Sequence, residues 1–427
     1  MGRSAKPADK LPPRGRCAAP LGRIPPRHHA PVPSTTVALT ADPPSGLLPD
    51  HQTCWDDEQP TWAPDGTVAP TAPALGPMEQ RHLVEARIHE HRRRLATHHG
   101  TRALHGAVPG LRDVVTFRHL ADGLPTPVED LGIDGAAVWV KRDDRTSSLY
   151  GGNKVRKLEY LLAQPARHEA VVVTGGGAAS HHVVATILYG RLLGLETEVA
   201  LFAQPPNPAT AQLRSLVDAY DLAAIYAAST TAYPAAMLAA AADVLRRGKR
   251  PWPIYPGGST PAGILGYVDC GLEIAASVDA GECPEPRAVY VALGSGGSAV
   301  GLALGLAMGG VSTKVRAVRV ADAIANNRAV LTALEAGTRA VLALAGRRVG
   351  SALDSVEIVD GYMGGGYGEQ THEGIAALQT AHRLDLPAEQ TYTAKAFAAA
   401  LDAGRAAPGQ APVLFVDTAS GQDPLPP

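Results

Sequence analysis

A lysine that follows two adjacent glycines is the first residue in this chain whose type and setting suggest chemistry. Gly151 and Gly152 permit a tight turn and a close approach of the backbone to a ligand, and Lys154 then opens an amphipathic helical pattern. A lysine whose pKa is lowered by burial can form a Schiff base with an aldehyde. Taken alone, a solvated helix lysine is the commoner outcome, since lysines are seldom buried.

A second glycine run precedes a serine and two histidines. A buried β-branched run ends at Thr174, and Gly175-Gly176-Gly177 then lead to Ser180-His181-His182. Ser180 is a typical N-cap, so free backbone N–H groups and the positive end of a helix dipole meet there, which suits a carboxylate. Considered singly, Ser180 is more often an ordinary cap, and the histidines are more often a packed or surface pair.

A third glycine loop follows the apolar run 288–293. Its N–H groups and hydroxyls would cradle a phosphate at a helix N-terminus. The same loop fits a dinucleotide-binding pattern, but Arg316 and Arg319 occupy the next strand, where that pattern needs an acidic residue. A nicotinamide-dependent oxidoreductase therefore stays a minor alternative. The candidate phosphate-binding residues are Ser295, Gly296, Gly297 and Ser298.

Tyrosines beside glycine turns are candidates for proton transfer or substrate orientation. Tyr362 and Tyr367 flank the turn around Gly364-Gly365-Gly366, and Tyr392 lies in Tyr392-Thr393-Ala394-Lys395. For each tyrosine taken singly, half-buried packing at a loop edge is about as common.

The elements that must position these residues alternate between short β-branched runs and Ala/Leu-rich helical stretches. Such alternation predicts an α/β fold in which helices cover both faces of a mostly parallel sheet. Ligands bind beyond the carboxyl ends of such strands, and each glycine loop above lies at such a junction. The predicted strands are 137–141, 170–174, 197–202, 288–293, 315–320 and 413–416.

The order and spacing of these junctions resemble the fold-type II pyridoxal-phosphate enzymes. Within that family, the chain is similar to the branch that contains D-cysteine desulfhydrase and 1-aminocyclopropane-1-carboxylate deaminase. The resemblance covers Leu124 to Thr418 and implies a tryptophan synthase β-like fold of two three-layer α/β/α domains with mostly parallel sheets. It rests on Lys141-Arg142-Asp143-Asp144, Gly151-Gly152-Asn153-Lys154-Val155-Arg156-Lys157-Leu158-Glu159, Pro256-Gly257-Gly258-Ser259, Gly266-Tyr267 and Tyr392-Thr393-Ala394-Lys395.

The resemblance implies pyridoxal 5'-phosphate as the cofactor and assigns roles to particular residues. Lys154 would bind the cofactor covalently, Ser180 would lie over the substrate carboxylate, and Thr418 would lie near the pyridine nitrogen. The implied catalytic residues are Lys154, Ser180, Tyr367 and Tyr392. The implied cofactor-binding residues are Lys154, Asn153, His181, Ser295, Gly296, Gly297, Ser298 and Thr418.

Two positions favour the desulfhydrase side of the branch. The deaminases carry a glutamate where this chain has Thr393, and a neutral hydroxyl at Thr418 would weaken the cofactor ring as an electron sink. We therefore expect β-elimination from a small amino acid, most simply D-cysteine, giving sulfide, pyruvate and ammonia. The alternatives are a 1-aminocyclopropane-1-carboxylate deaminase and a cofactor-binding homologue with altered or lost activity.

Four positions depart from the family pattern. His181 replaces the asparagine thought to reach the cofactor ring hydroxyl, Ala179 replaces a glutamine, and Ala419-Ser420 replaces the two glycines of Thr-Gly-Gly. A histidine still donates a hydrogen bond if its tautomer suits, but its size and titration near neutral pH change the pocket. These departures motivate the altered-activity alternative.

The sequence predicts two interleaved domains behind an N-terminal extension. Sixteen of the 36 prolines fall within the first 77 residues, which predicts a disordered tail over 1–77. A helical extension is expected over 78–111, a large cofactor-binding domain over 112–158 with 268–427, and a small domain over 159–267. Relatives suggest a homodimer.

Composition narrows the class of partner. The net charge of -2 gives no electrostatic reason to expect a nucleic acid, and the longest apolar stretch, Ala299 to Val311, is too short to span a membrane. The four cysteines form no close C-x-x-C pair, so the sequence predicts no metal site and favours a reducing, cytoplasmic compartment. A small amino acid is the expected substrate.

Overall fold

The computed structural model describes residues 75–98, 100–205, 208–407 and 409–423, together with the backbone of a two-residue strand at Leu47–Leu48. The described helices are α1 (Pro77–Thr97), α2 (Ala103–Ala107), α3 (Leu111–Val114), α4 (Asn153–Leu161), α5 (Ala163–Arg167), α6 (His181–Leu192), α7 (Pro208–Ala219), α8 (Tyr233–Arg246), α9 (Pro261–Asp279), α10 (Gly297–Met308), α11 (Arg328–Leu344), α12 (His372–Arg383) and α13 (Thr393–Ala406).

The strands form two separate sheets. They are β1 (Leu47–Leu48), β2 (Val128–Asp130), β3 (Val138–Lys141), β4 (Val171–Gly177), β5 (Thr197–Phe202), β6 (Ala224–Ala227), β7 (Pro251–Ile254), β8 (Ala288–Leu293), β9 (Lys314–Arg319), β10 (Val356–Val359) and β11 (Val413–Val416).

The first sheet has the strand order β1-β6-β5-β4-β7, and every pair except β1 with β6 is parallel. Its central strand β4 reads Val-Val-Val-Thr-Gly-Gly-Gly and is buried along its whole length. A continuous apolar run of this kind is typical of a parallel strand covered on both faces. Helix α6 packs beside this strand, in one cluster with Val172, Ile187 and Leu201.

The second sheet has the order β10-β9-β8-β11-β3-β2, and only β2 runs antiparallel to its neighbour among these strands. Helices α9 and α10 cover one face, where Val289 and Val291 of β8 meet Leu302. Helix α13 covers the other face, where Phe397 packs against Phe415 of β11. The predicted α/β architecture with mostly parallel sheets is confirmed.

The predicted strands match the structure to within three residues at each end, and 197–202, 288–293 and 413–416 match it fully. The short strands β2, β6, β7 and β10 were not predicted. β7 contains Pro251 and Pro253, and it lies at the sheet edge, where a missing N–H costs no ladder hydrogen bond.

The domain division stays a prediction, and the structure adds one detail to it. Strands β4 to β7 fall within 159–267, and β2, β3 and β8 to β11 fall outside that range. Both expected boundaries, however, lie within continuous helices, α4 and α9. The tail expected over 1–77 lies almost wholly outside the described residues.

Across the described ranges, no helix combines the length and the apolar composition needed to cross a lipid bilayer.

Candidate active site

A cavity of about 410 Å³ opens where the carboxyl ends of the central strands meet the N-termini of α4, α6 and α10. Every site residue proposed from the sequence lines it. These residues come from distant parts of the chain, as expected for the carboxyl edges of parallel strands. They are Asn153, Lys154, Ser180, His181, Ser295, Gly296, Gly297, Ser298, Tyr367, Tyr392 and Thr418.

Lys154 lies in the first turn of α4, half-buried at the cavity wall. The turn before it needs a glycine: Gly152 has φ +82°, and a Cβ there would lie 2.5 Å from the carbonyl oxygen of Thr418. Desolvation lowers the pKa of the Lys154 ammonium to about 8, although the charge of Glu389 acts in the opposite direction. A pKa of about 8 leaves roughly a tenth of this amine unprotonated at pH 7, far more than for an ordinary lysine, and the unprotonated form is the nucleophile.

The inner face of α4 is held by buried ion pairs. Nε and Nη2 of Arg156 donate to the two carboxylate oxygens of Asp143, at 2.9 and 2.7 Å, and its guanidinium also donates to both oxygens of Glu273. Lys141 donates to the same Glu273 carboxylate at 2.7 Å. Both carboxylates accept two hydrogen bonds each from the planar guanidinium of Arg156. This bidentate geometry fixes the helix that presents Lys154.

Ser180 is the N-cap of α6, as predicted, and its Oγ accepts a hydrogen bond from the N–H of Val183 at 3.4 Å. A Cβ at Gly176 would lie 2.6 Å from that oxygen, so this glycine lets the strand approach the cap. The start of α6 thus presents backbone N–H groups and a dipole to the cavity, an arrangement suited to a carboxylate.

The loop before α10 forms a cradle with the turn at Gly257. The hydroxyl oxygens of Ser295 and Ser259 lie 2.7 Å apart, and the N–H of Gly297 donates to the Ser259 oxygen at 3.1 Å. A Cβ at Gly297 would lie 2.5 Å from that oxygen, and Gly296 has the positive φ of +87°. Asn153 reaches the same loop, where its Nδ2 donates to Ser298 Oγ at 3.4 Å.

Lys157, one helical turn after Lys154, places an amine beside this cradle. Its Nζ donates to the carbonyl of Gly257 at 3.0 Å and to Ser259 Oγ at 3.4 Å. Burial, followed by the charge of Lys154, lowers its pKa well below the ordinary value. Both oxygens are neutral and do not stabilise the ammonium form, whereas the negative charge of a phosphate bound in the cradle would favour it. The sequence analysis missed Lys157, although its spacing of three from Lys154 places both on one helix face.

Tyr367 and Tyr392 share a hydrogen bond between their hydroxyls. Burial raises the pKa of Tyr367 to about 12 and that of Tyr392 well above its ordinary value, so both phenols stay protonated near neutral pH. They can donate protons to a leaving group or an orienting acceptor. Tyr362, the other tyrosine considered, instead donates to Asp402 at 2.8 Å and does not line this cavity.

Glu389 is a cavity residue that the sequence analysis missed. Its carboxylate accepts hydrogen bonds from the backbone N–H groups of Thr391, Tyr392 and Thr393, at 2.7 to 2.8 Å. It therefore caps the start of α13 and fixes the backbone that carries Tyr392. An acidic residue three positions before a functional tyrosine was the available signal.

His181 is positioned by Tyr150, whose hydroxyl lies 2.6 Å from His181 Nδ1. Burial raises the Tyr150 pKa and lowers the His181 pKa, so the phenol donates to a neutral imidazole. The imidazole proton then lies on Nε2, which is 3.9 Å from a carboxylate oxygen of Glu389. The replacement of asparagine by His181 thus keeps an N–H donor at the cavity wall.

The departures at Ala419 and Ser420 have visible contacts. Ser420 Oγ accepts the N–H of Gly151 at 3.0 Å, which steadies the turn before Lys154. Thr418 lines the cavity and its carbonyl accepts the N–H of Asn153 at 3.2 Å. The N–H of Ala419 donates to Asp417, a buried residue whose pKa burial raises to about 8.

These residues fit pyridoxal phosphate. The cradle at Gly297 with Lys157 suits the phosphate, and Lys154 suits the aldehyde. His182 also lines the cavity, and its buried Nδ1 has no hydrogen-bond partner among the described residues, so polar capacity remains for a ligand.

Comparisons with known proteins agree with this geometry. Residues 121–419 match the family described as pyridoxal-phosphate dependent enzyme. D-cysteine desulfhydrase of Salmonella schwarzengrund is 32% identical over 309 residues, which cover 69% of this chain and 92% of the relative. The enzyme of the same name from Salmonella newport gives the same identity and coverage.

Solved structures share the fold. A crystal structure described as an ACC deaminase homologue has a TM-score of 0.62 and 28% identity, covering 74% of this chain and 95% of that one. O-ureido-L-serine synthase, with a TM-score of 0.51 and 12% identity over 73% of this chain and 91% of its own, shows the fold alone. The chain therefore belongs to the pyridoxal-phosphate-dependent enzyme family, in its fold-type II branch, and pyridoxal 5'-phosphate is its cofactor.

Proposed function

We propose that this enzyme is a carbon–sulfur lyase that converts D-cysteine and water to hydrogen sulfide, pyruvate and ammonia. The desulfhydrase relatives support this substrate, since this chain covers 92% of their length. The observation that carries the proposal is the meeting, in one cavity, of the Lys154 amine, the Ser180 helix terminus and the paired hydroxyls of Tyr367 and Tyr392.

The substrate would bind through its carboxylate at the start of α6. Ser180 Oγ and the backbone N–H groups beside it supply hydrogen bonds, and the helix dipole supplies positive potential. This anchor leaves the amino group and the β-substituent free to face Lys154 and the two tyrosines. Ser180 thereby orients the α-hydrogen for transfer.

Bound pyridoxal phosphate supplies an aldehyde for the substrate amine and a ring that accepts electron density from Cα. Lys154 Nζ takes the α-proton, because its lowered pKa makes the unprotonated form of this amine accessible near neutral pH. Tyr367 or Tyr392 donates a proton to the departing sulfur, since both phenols stay protonated. Water then hydrolyses the released enamine to pyruvate and ammonia.

A second candidate is 1-aminocyclopropane-1-carboxylate deamination. The structural relative described as an ACC deaminase homologue favours it, at 28% identity over 95% of that chain. Against it, residue 393 is a threonine whose hydroxyl is engaged with the N–H of Glu389 at 2.7 Å. A cofactor-binding homologue with altered activity would also contain His181. The products separate these candidates.

We also place the enzyme in the cytoplasm as a homodimer. Support for the compartment comes from Cys270 and Cys283, which are buried free thiols. Support for the dimer comes from the family resemblance.

The test combines a spectrum with product analysis. We expect added pyridoxal phosphate to acquire the visible absorption band of a lysine-bound cofactor in the wild type and in Lys249→Ala, an exposed control, but not in Lys154→Ala. D-cysteine should then give sulfide and pyruvate in equal amounts, with L-cysteine as the stereochemical control. Release of 2-oxobutanoate from the cyclopropane amino acid would favour deamination, and a band without any product would favour altered activity.

A further inference from the structure

One side of the cavity mouth is apolar, whereas the base is polar and the exposed Thr230 and Thr231 also line the cavity. Phe202 lies at the end of β5, Pro234 lies in the first turn of α8, and Ile324 lies in the loop after β9. Ile324 is 85% exposed, which is high for a large aliphatic side chain. Ala321 and Ala325 complete this side. An exposed apolar patch that continues a binding site marks a surface that a ligand covers.

A row of aromatic rings leads from the tyrosine pair to this mouth. The ring centroids of Tyr392 and Tyr367 are 6.0 Å apart, those of Tyr367 and Phe202 are 6.1 Å apart, and those of Phe202 and Tyr233 are 5.5 Å apart. The rings of Tyr392, Tyr367 and Phe202 line the cavity as neighbours, whereas Tyr233 packs edge-on against Phe202 and is not a lining residue. A side chain that extends beyond the tyrosine hydroxyls would therefore contact aromatic carbon.

The charges are distributed unevenly between base and mouth. Among the described lining residues, the lysines are Lys154 and Lys157, and both lie on α4 at the base. At the mouth, the charged lining residue is Asp322, which is exposed. An anionic substituent at the mouth would meet a carboxylate and would lose hydration against apolar groups.

We propose that the preferred substrates are cysteine thioethers whose sulfur carries a neutral, apolar substituent. D-cysteine satisfies the base of the site but leaves the wall of Phe202 and Ile324 uncovered. In the reaction the Cβ–S bond breaks, the α-proton leaves Cα, and the sulfur gains a proton. One thioether and one water thus give a thiol, pyruvate and ammonia. The inference rests on the proposed β-elimination and adds its substrate class.

The experiment compares kcat/KM among D-cysteine derivatives with the holoenzyme. We expect kcat/KM to rise by about fourfold for each added methylene from S-methyl to S-propyl, as apolar area is buried. The pair S-(3-methylbutyl) and S-(2-carboxyethyl) has the same shape but differs in charge. We expect the uncharged member to be preferred by at least about tenfold.

Two matched substitutions test whether the preference for apolar thioethers arises at the cavity mouth. Ile324→Asp should reduce the preference for the 3-methylbutyl thioether over D-cysteine by about tenfold. Leu238→Asp makes the same change at a residue that is 73% exposed and outside the cavity, and it should leave that preference unchanged. Phe202→Ala should also reduce the preference for the 3-methylbutyl thioether over D-cysteine.

The outcomes separate this inference from the proposed function. Turnover of D-cysteine with equal or lower kcat/KM for every thioether would overturn the substrate class and leave the lyase intact. Equal effects of Ile324→Asp and Leu238→Asp would also overturn it. No thiol and no pyruvate from any derivative, in an enzyme that shows the lysine-bound band, would overturn the lyase itself.

Discussion

At the scale of single residues, the environment of Lys154 determines when it can act. Burial lowers its pKa, and the nearby carboxylate of Glu389 raises it, so that the result is about 8. Glu389 is in turn held by three backbone N–H groups and faces the neutral His181. These two opposing effects on the pKa of Lys154 predict how the rate of cofactor capture changes with pH.

We expect the rate at which apoenzyme captures pyridoxal phosphate to rise about tenfold per pH unit below pH 8 and to level off above it, because only the unprotonated amine attacks. Stopped-flow absorbance over a pH series measures this rate. Glu389→Gln should move the midpoint to lower pH, since it removes the charge that favours the ammonium form. Glu196→Gln, at an exposed carboxylate, is the control. An unshifted midpoint in Glu389→Gln would contradict the assignment.

The site residues proposed from the sequence lie in the cavity because most of them follow glycine loops at the ends of parallel strands, and those strand ends meet at the same edge of a sheet. Sequence reasoning missed Lys157, Glu389 and Tyr150, which act through contacts across the fold. The 2.6 Å bond from Tyr150 to His181 joins a loop to the first residue of α6, 31 positions later, and no local pattern encodes such a pairing.

At the scale of elements, α4 has two different faces. One presents Lys154 and Lys157 to the cavity, and the other buries Arg156 between Asp143 and Glu273. The amphipathic pattern predicted this helix, but it did not predict that a charged residue lies on the inner face. A buried arginine is accommodated here only because carboxylates from two other segments complete its hydrogen bonds.

We expect Arg156→Met to lower the free energy of unfolding by about 3–5 kcal/mol, because the buried Asp143 carboxylate would lose its cationic partner and Glu273 would keep only Lys141. Urea denaturation followed by circular dichroism measures this loss. Arg93→Met, on the exposed face of α1, breaks the pair with Glu90 and should cost no more than about 1 kcal/mol. Similar losses in the two variants would show that the buried cluster does not hold α4.

Three of the four short strands that sequence reasoning missed, β2, β7 and β10, lie at sheet edges, whereas β6 lies between β1 and β5. The central strands β4, β5, β8 and β11 are mostly apolar and almost fully buried, and they were predicted. Strands β2, β7 and β10 lie at sheet edges, are three or four residues long and include polar residues or proline. Their conformation follows from pairing with a neighbour, because their own composition is close to that of a loop.

At the scale of the whole molecule, two sheets and their helices enclose one cavity, and the alternation of elements was enough to predict this class of fold. The homodimer stays a prediction. Light scattering during size exclusion should give twice the chain mass for the holoenzyme, and a mass that stays at one chain over a wide concentration range would contradict it. Dilution of the sample is the control for weak self-association.

The different anchoring of base and mouth has a consequence for how the enzyme can diversify. Lys154 and Lys157 share a helix with the buried Arg156 cluster, so mutations at the base disturb folding and chemistry together. Phe202, Pro234 and Ile324 come from three separate segments, and Ile324 is largely surrounded by solvent. Selection can therefore alter the mouth one residue at a time, and descendants of this enzyme can gain new substrates while they inherit the same reaction.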